Sequence, residues 1–299
     1  MNKKDSFIKI EKGEDNLNNT ITKEQYQALK ETGLNFETIA QKYLTENEIE
    51  AIPFQKVLYL KPKEGGSYAN YSSFAYWIDQ KNMKAHEEAA ANIEVLQDWD
   101  KLQSENATLR SGFVLLGVNA GAKGMDLKIA EGTETLDHFE MFQIRSIKSG
   151  EKRQGIPSPI KYKNALMQNE DDKEFYNQVV SGTYMTDFIK GFPTSYGPDI
   201  KGHLNEAINK LNYNESQGDE FYNRFCKLFG EILKNELDVL GGKTHTLVVM
   251  GKNPKQNIVN EFLKRSGLDK EFRIVNISHY SGSPSYTGLA EELKEAFTI

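Results

Sequence analysis

Gly112-Phe113-Val114-Leu115-Leu116-Gly117-Val118-Asn119-Ala120-Gly121 is an apolar run that gives way to a polar residue set between two glycines. The run is short enough for a strand buried on both faces, and it ends where a loop should leave a sheet. Three further runs of this texture follow at 184–189, 247–250 and 272–277, the first of them less regular. Helical spacing fills the intervals. Phe221, Phe225, Leu228, Phe229, Ile232 and Leu233 share one helical face, Ile258, Phe262 and Leu263 share another, and a last helix covers 289–297. This alternation predicts an α/β domain over residues 110–299, with a mostly parallel central sheet flanked by helices. The polar segment 150–177 reads as an insertion between strands, and no internal repeat is present.

Upstream the texture is helical. Thr22 followed by Gln25 has the pattern of a capping box opening a helix through Leu29, stopped at Gly33. Asn35 stands where it can cap a second helix carrying Phe36, Ile39, Ala40 and Tyr43. Gly65, Gly66 and Ser67, with Tyr68 and Tyr71, read as a loop, and residues 84–103 have helical spacing at Ala89, Ile93, Leu96 and Trp99. Residues 1–20 read as a loose polar arm. Residues 1–109 are therefore expected to form a mainly helical accessory region.

Composition narrows the functional classes. Hydrophobic residues at 38% and charged residues at 27% suit a folded globular chain. The net charge of -6 argues against a protein that coats nucleic acid by electrostatics alone, since that affinity comes from clustered Lys and Arg. Most of the acidity lies in residues 1–109, which carry 13 Lys/Arg against 18 Asp/Glu; the rest is nearly balanced. A nucleic-acid enzyme of this charge must use a local groove. The single cysteine, Cys226, lies on an apolar helical face and reads as a buried small hydrophobe. No apolar run approaches the roughly 18 residues of a membrane span, and the polar start lacks a signal h-region, so a cytoplasmic monomer with no membrane partner is expected.

In open parallel α/β sheets, ligands bind beyond the carboxyl ends of the strands. That rule selects Gly117 to Gly121, Thr186-Asp187 with Lys190, Gly251-Lys252-Asn253-Pro254, and Ser278-His279-Tyr280-Ser281-Gly282. Asn119, Asp187, Lys252 and His279 could then converge on one pocket. Each also has an ordinary reading: Asn119 satisfying a turn, His279 capping a loop carbonyl, Lys252 solvated, Asp187 pairing with Lys190.

The order and spacing of these segments resemble the uracil-DNA glycosylase superfamily over about residues 112–299. Gly117-Val118-Asn119-Ala120-Gly121 is similar to its first motif, G-[IM]-N-P-G, and His279-Tyr280-Ser281-Gly282 to its last, H-P-S or N-P-S-G, with Ala120 and Tyr280 in place of prolines. The run 184–190 with Pro193-Thr194 resembles T-[NK]-[LV]-V, and Val249-Met250-Gly251-Lys252 resembles L-G-K.

The resemblance implies a DNA glycosylase that acts on a flipped-out uracil or modified pyrimidine, in single-stranded DNA or a duplex. On that reading the Asn119 amide holds the attacking water and His279 donates to the carbonyl oxygen of the leaving base. Gly117, Val118 and Asp187 border the base, Phe139 or Phe142 either stacks on it or has an ordinary core role, and Lys252, Tyr280, Ser281, Gly282 and Ser283 touch the DNA. An ionised Asp187 accepts only, which favours an exocyclic amine such as N4 of cytosine over O4 of uracil. No metal or other cofactor is expected: His138 and His203 lack partners at ligand spacing. The rival readings are a glycosylase aimed at modified cytosine in foreign DNA, a silent member of the fold that only binds nucleic acid or a nucleotide, and a flavodoxin-like nucleotide-binding protein. The last lacks a phosphate loop such as G-x-G-x-x-G.

Overall fold

A computed structural model describes residues 19–52, 66–77, 85–121, 137–143, 159–194, 199–241, 245–251, 258–280 and 285–297. In chain order its elements are α1 (Lys23–Glu31), α2 (Phe36–Tyr43), α3 (Glu46–Ala51), β1 (Ser72–Phe74), α4 (Ala85–Leu96), α5 (Trp99–Ser104) and β2 (Arg110–Gly121). There follow α6 (Ile160–Leu166), α7 (Glu170–Phe175), β3 (Thr183–Thr194), α8 (Asp199–Lys210), α9 (Glu215–Leu240), β4 (Thr246–Met250), α10 (Ile258–Ser266), β5 (Arg273–Ile277) and α11 (Tyr286–Phe297).

The five strands form one sheet in the order β1-β3-β2-β4-β5. β3, β2, β4 and β5 run parallel to their neighbours, whereas β1 pairs antiparallel with β3. The sheet is therefore mixed, a correction to the mostly parallel sheet expected. β1 has only three residues, too few to show a period, and it gains its place from the exposed edge of β3.

Alternation along the strands builds two cores. Val114 and Leu116 of β2, Tyr184 and Phe188 of β3, and Leu247 and Val249 of β4 pack with Phe225 and Phe229 of α9 and Phe262 of α10. Phe113 and Leu115, Met185, Val248 and Met250 face the other way, onto Tyr162 and Leu166 of α6 and Leu289, Leu293 and Phe297 of α11. The result is a helix-sheet-helix sandwich, as a sheet apolar on both faces requires.

The capping box expected at α1 is present. Thr22 Oγ1 accepts from the Gln25 N–H at 3.3 Å, and Gln25 Oε1 accepts from the Thr22 N–H at 2.8 Å. The 26-residue α9 opens on a box of Asn214 and Gln217 and stops at Gly241, whose positive φ of 72° suits glycine. Elsewhere local detail departs from expectation. Asn35 precedes α2 in a left-handed conformation without a side-chain cap bond. Asp98 accepts from the N–H groups of Asp100 and Lys101 and so divides the helical stretch 84–103 into α4 and α5. The expected insertion at 150–177 contains α6 and α7, with Tyr162, Ala165 and Leu166 fully buried. Tyr68 and Tyr71, expected in a loop, are also buried, in a 3-10 turn that leads into β1.

Shared packing crosses the boundary expected at 109/110. Tyr26 and Leu29 of α1 and Ile39 of α2 belong to the same core as α9 and β3, and β1 is a strand of the sheet itself. Asn19 and Thr20, the end of the expected arm, lie against β2: the Ser111 N–H donates to the Asn19 carbonyl at 2.9 Å. Residues 1–18 are outside the described residues. Among the described residues, no helix is long and apolar enough to cross a membrane.

Candidate active site

The register of β2 marks where a crevice is expected. Its pairing with β4 ends at Leu116↔Val249, while its pairing with β3 continues through Gly117↔Asp187 and Asn119↔Ile189 to Gly121↔Thr194. Beyond Leu116, β2 follows β3 and leaves β4. Among the parallel strands the spatial order is second, first, third, fourth, so the chain reverses direction across the sheet between β2 and β4. The crevice expected there falls at the switch point, where doubly wound sheets bind ligands.

Three residues meet closely at this point. A Cβ on Gly117 would lie 2.1 Å from Asp187 Oδ1 and 3.4 Å from Met250 Cε, so only glycine lets the carboxyl rest there. Asp187 is 2% exposed. Burial pushes its carboxyl up to about 7; Lys190 opposes the rise and Glu236 adds to it. Near neutral pH both forms exist, and the protonated one donates as well as accepts. The expectation of an accept-only carboxylate is thereby changed.

On the other face of β3, Lys190 Nζ meets Glu236 Oε2 of α9 at 2.7 Å, and both side chains are fully buried. Tyr184 and Thr186 donate to Glu236 Oε1 at 2.8 and 2.9 Å. Lys190 also donates to Thr186 Oγ1 and to the main-chain carbonyl of Asp187. The ion-pair partner of Lys190 is thus Glu236, and what it holds of Asp187 is the backbone.

The segment after β5 is held from two helices. The Ser278 N–H and hydroxyl donate to the Glu292 carboxylate of α11 at 2.6 and 3.1 Å, and the Tyr162 hydroxyl of α6 donates to the Ser278 carbonyl at 3.1 Å. The Gly251 N–H donates to the Ile277 carbonyl at 2.8 Å and ties the ends of β4 and β5. The rings of His279 and Tyr280 lie 4.0 Å apart at 31°, and Tyr162 meets Tyr280 edge-on at 5.9 Å. Burial lowers His279 to about 4, so its imidazole is neutral at physiological pH and offers an N–H without a positive charge. Burial, and after it the Asp187 carboxyl, pushes the Tyr280 phenol up. Tyr280 therefore stacks on His279 while within electrostatic reach of Asp187.

No family model, curated protein or solved structure matches the chain.

The other expected site residues fall in three groups. Asn119 is placed by its backbone in β2, opposite Ile189, and Val118 is partly buried against the core. Lys252, Ser281, Gly282 and Ser283 lie outside the described residues. Phe139 is fully buried between Tyr26 and Phe74, each 5.1 Å away, which leaves its ring no face for a base. Phe142 is only partly buried and packs against both cores at the sheet edge. Both phenylalanines have positive φ, 58° and 64°, a strained setting for bulky side chains. Cys226 is buried, and burial pushes its thiol up, away from a reactive thiolate.

Tyr162, Glu236, Met250 and Glu292 were not among the expected site residues. Glu236 did carry a signal, as a carboxylate on the apolar stripe of α9 between Leu233 and Leu240. Two surface grooves, of about 530 and 400 Å³, lie along α9 and α10 around Arg265 and Glu261, the second reaching α8. Ion pairs of Arg265 with Asp219 and Glu261 cross this surface, and none of its lining residues stands at a strand end. Volume alone would favour these grooves; the buried titratable groups favour the strand ends. Among the described residues, no group of three or more His, Cys, Asp or Glu is arranged to hold a metal ion.

Proposed function

We propose that the chain is a DNA glycosylase that hydrolyses the N-glycosidic bond of a flipped-out uracil or modified pyrimidine and leaves an abasic site. What carries this reading is a neutral His279 whose ring lies 4.0 Å from that of Tyr280 after β5, together with a buried Asp187 carboxyl against Gly117 on β2, its charge felt at Tyr280. Cleavage of the bond leaves its electron pair on the base and positive charge on the sugar. A neutral imidazole suits the first change, because its N–H strengthens its bond to the base carbonyl as charge arrives there, with no ion to desolvate beforehand. Asp187, on β3 with β2 and β4 between it and β5, reads the base edge. Its protonated form matches a carbonyl beside a ring N–H, and its ionised form matches an exocyclic amine. The Asn119 amide holds the water that attacks the sugar carbon; because the amide is no general base, the bond breaks before the water adds. Extrusion of a base from duplex costs a few kcal/mol, so damaged, mismatched or single-stranded targets are favoured.

The test is to incubate the full-length protein with oligonucleotides bearing uracil, a thymine mismatch, hypoxanthine or a modified cytosine, then treat with alkali to break the strand at abasic sites. Strand scission that survives chelator and is abolished by Asn119→Ala, with DNA binding retained, supports the reading. Binding without scission on every substrate would leave a silent member of the fold. Scission that depends on an added divalent metal would overturn the mechanism.

A further inference from the structure

We propose that Glu236 and Lys190 are positioning residues for Asp187: the buried pair fixes the segment of β3 that presents the carboxyl to the crevice and balances the charge behind it. The inference rests on the reading of Asp187 as the group that faces the base. Its grounds are geometric. Lys190 holds the Asp187 peptide by its carbonyl oxygen, and Glu236 holds Lys190 at 2.7 Å. Tyr184 and Thr186, which alternate with Met185 and Asp187 along the strand, also bind Glu236. Three residues on one face of β3, Tyr184, Thr186 and Lys190, are thereby tied to a single carboxylate of α9, and Asp187, next after Thr186, turns to the opposite face against Gly117.

The electrostatics agree. The charged groups acting on the Asp187 carboxyl are Lys190 on its own strand and Glu236 from α9; Tyr280 feels the carboxyl in turn, while Gly117 of β2 and Met250 of β4 carry no charge. Lys190 and Glu236 act in opposite directions, so burial alone dominates the carboxyl's protonation. A lone Lys190 at that place would hold Asp187 ionised; a lone Glu236 would hold it protonated. A buried pair of well-packed charges is a poor source of stability compared with apolar residues, so its presence behind a site residue calls for a positional role.

The experiment follows the Asp187 carboxyl by carbon-13 NMR titration of the full-length protein, the resonance being assigned by its loss in Asp187→Asn. Glu236→Gln should lower the carboxyl's midpoint and Lys190→Met should raise it, each by about one pH unit or more. The double variant Lys190→Met/Glu236→Gln should return it to within about half a unit of wild type. Shifts of the same sign in both single variants, or none, would overturn the proposal, since a merely structural pair loosens the site alike from either side. Where a single variant does not fold, the double variant decides: a midpoint displaced by about a unit or more would show that the two charges do not balance at Asp187. The titration needs no substrate. Opposed shifts without base release would sink the glycosylase reading alone; base release with unmoved midpoints would sink this one alone.

Discussion

Asp187→Asn should stabilise the protein, and by more at alkaline than at acid pH. The folded carboxyl titrates at about 7 in place of the ordinary 3.8, so between those values the folded state binds a proton that the unfolded state has released. Stability of the wild type therefore falls as pH rises through that window and levels off above 7. With 1.36 kcal/mol per pH unit, the penalty is about 2 kcal/mol at pH 5 and about 4 kcal/mol at pH 8. Asparagine has nearly the same shape and cannot ionise, so it escapes the penalty at both. Urea unfolding at pH 5, 6, 7 and 8, followed by the fluorescence of Trp77 and Trp99, measures the difference directly. A gain that does not grow with pH, or a wild type that overtakes the variant as pH rises, would mean that the folded carboxyl is held ionised and would refute the account of the site. Gain of stability with loss of base discrimination is the pattern of a residue kept for function.

The same titration predicts a change of base preference. Single-turnover release of a pyrimidine with a carbonyl at position 4 should fall as pH rises through about 7, while release of one with an amine there should rise; a ratio unchanged by pH, or by Asp187→Asn, removes Asp187 from base reading. His279→Ala should raise the barrier by about 2.7–4 kcal/mol, more for poor leaving groups than for good ones, and equal losses across a leaving-group series would point to a structural role. Because the folded His279 resists protonation down to about 4, its burial destabilises the fold progressively as pH falls from 6.5 towards 4; acid unfolding of His279→Phe should lose that component, of the order of 3 kcal/mol. Gly117→Ala should cost about 1–3 kcal/mol by driving a methyl into the Asp187 carboxyl, and Gly117→Ala/Asp187→Ala should recover part of it; thermal melts in which the two effects simply add would argue that the residues do not touch.

The four parallel strands could be read from the sequence because each carries apolar residues on both faces, and the α1 box because its signal spans four residues. What failed was what depends on a distant neighbour. β1 is defined by the edge of β3, more than a hundred residues away in the chain, and nothing in Ser72-Ser73-Phe74 announces it. α6 is only seven residues long, so its apolar positions at 160, 162, 165 and 166 cannot establish a period. At the site, the polar residues at strand ends were visible, but not which of them share a face. That Asp187 meets Gly117 while Lys190 turns to α9 follows from strand parity and register, which a sequence leaves open until the pairing is known.

The unequal ladders of β2 give the crevice walls of different compliance. On one side the β2–β3 pairing runs on to Gly121 and Thr194; on the other β4 ends at Met250, and it is joined to β5 there by the bond from Gly251 to Ile277. Any closure around an occupant should thus come from the β4–β5 side, with the β2–β3 wall serving as the anvil. Amide exchange would register this as slow, ligand-insensitive hydrogens at Leu116 to Val118 and Asp187 to Ile189, against hydrogens near Gly251 and Ser278 that slow only when the crevice is filled.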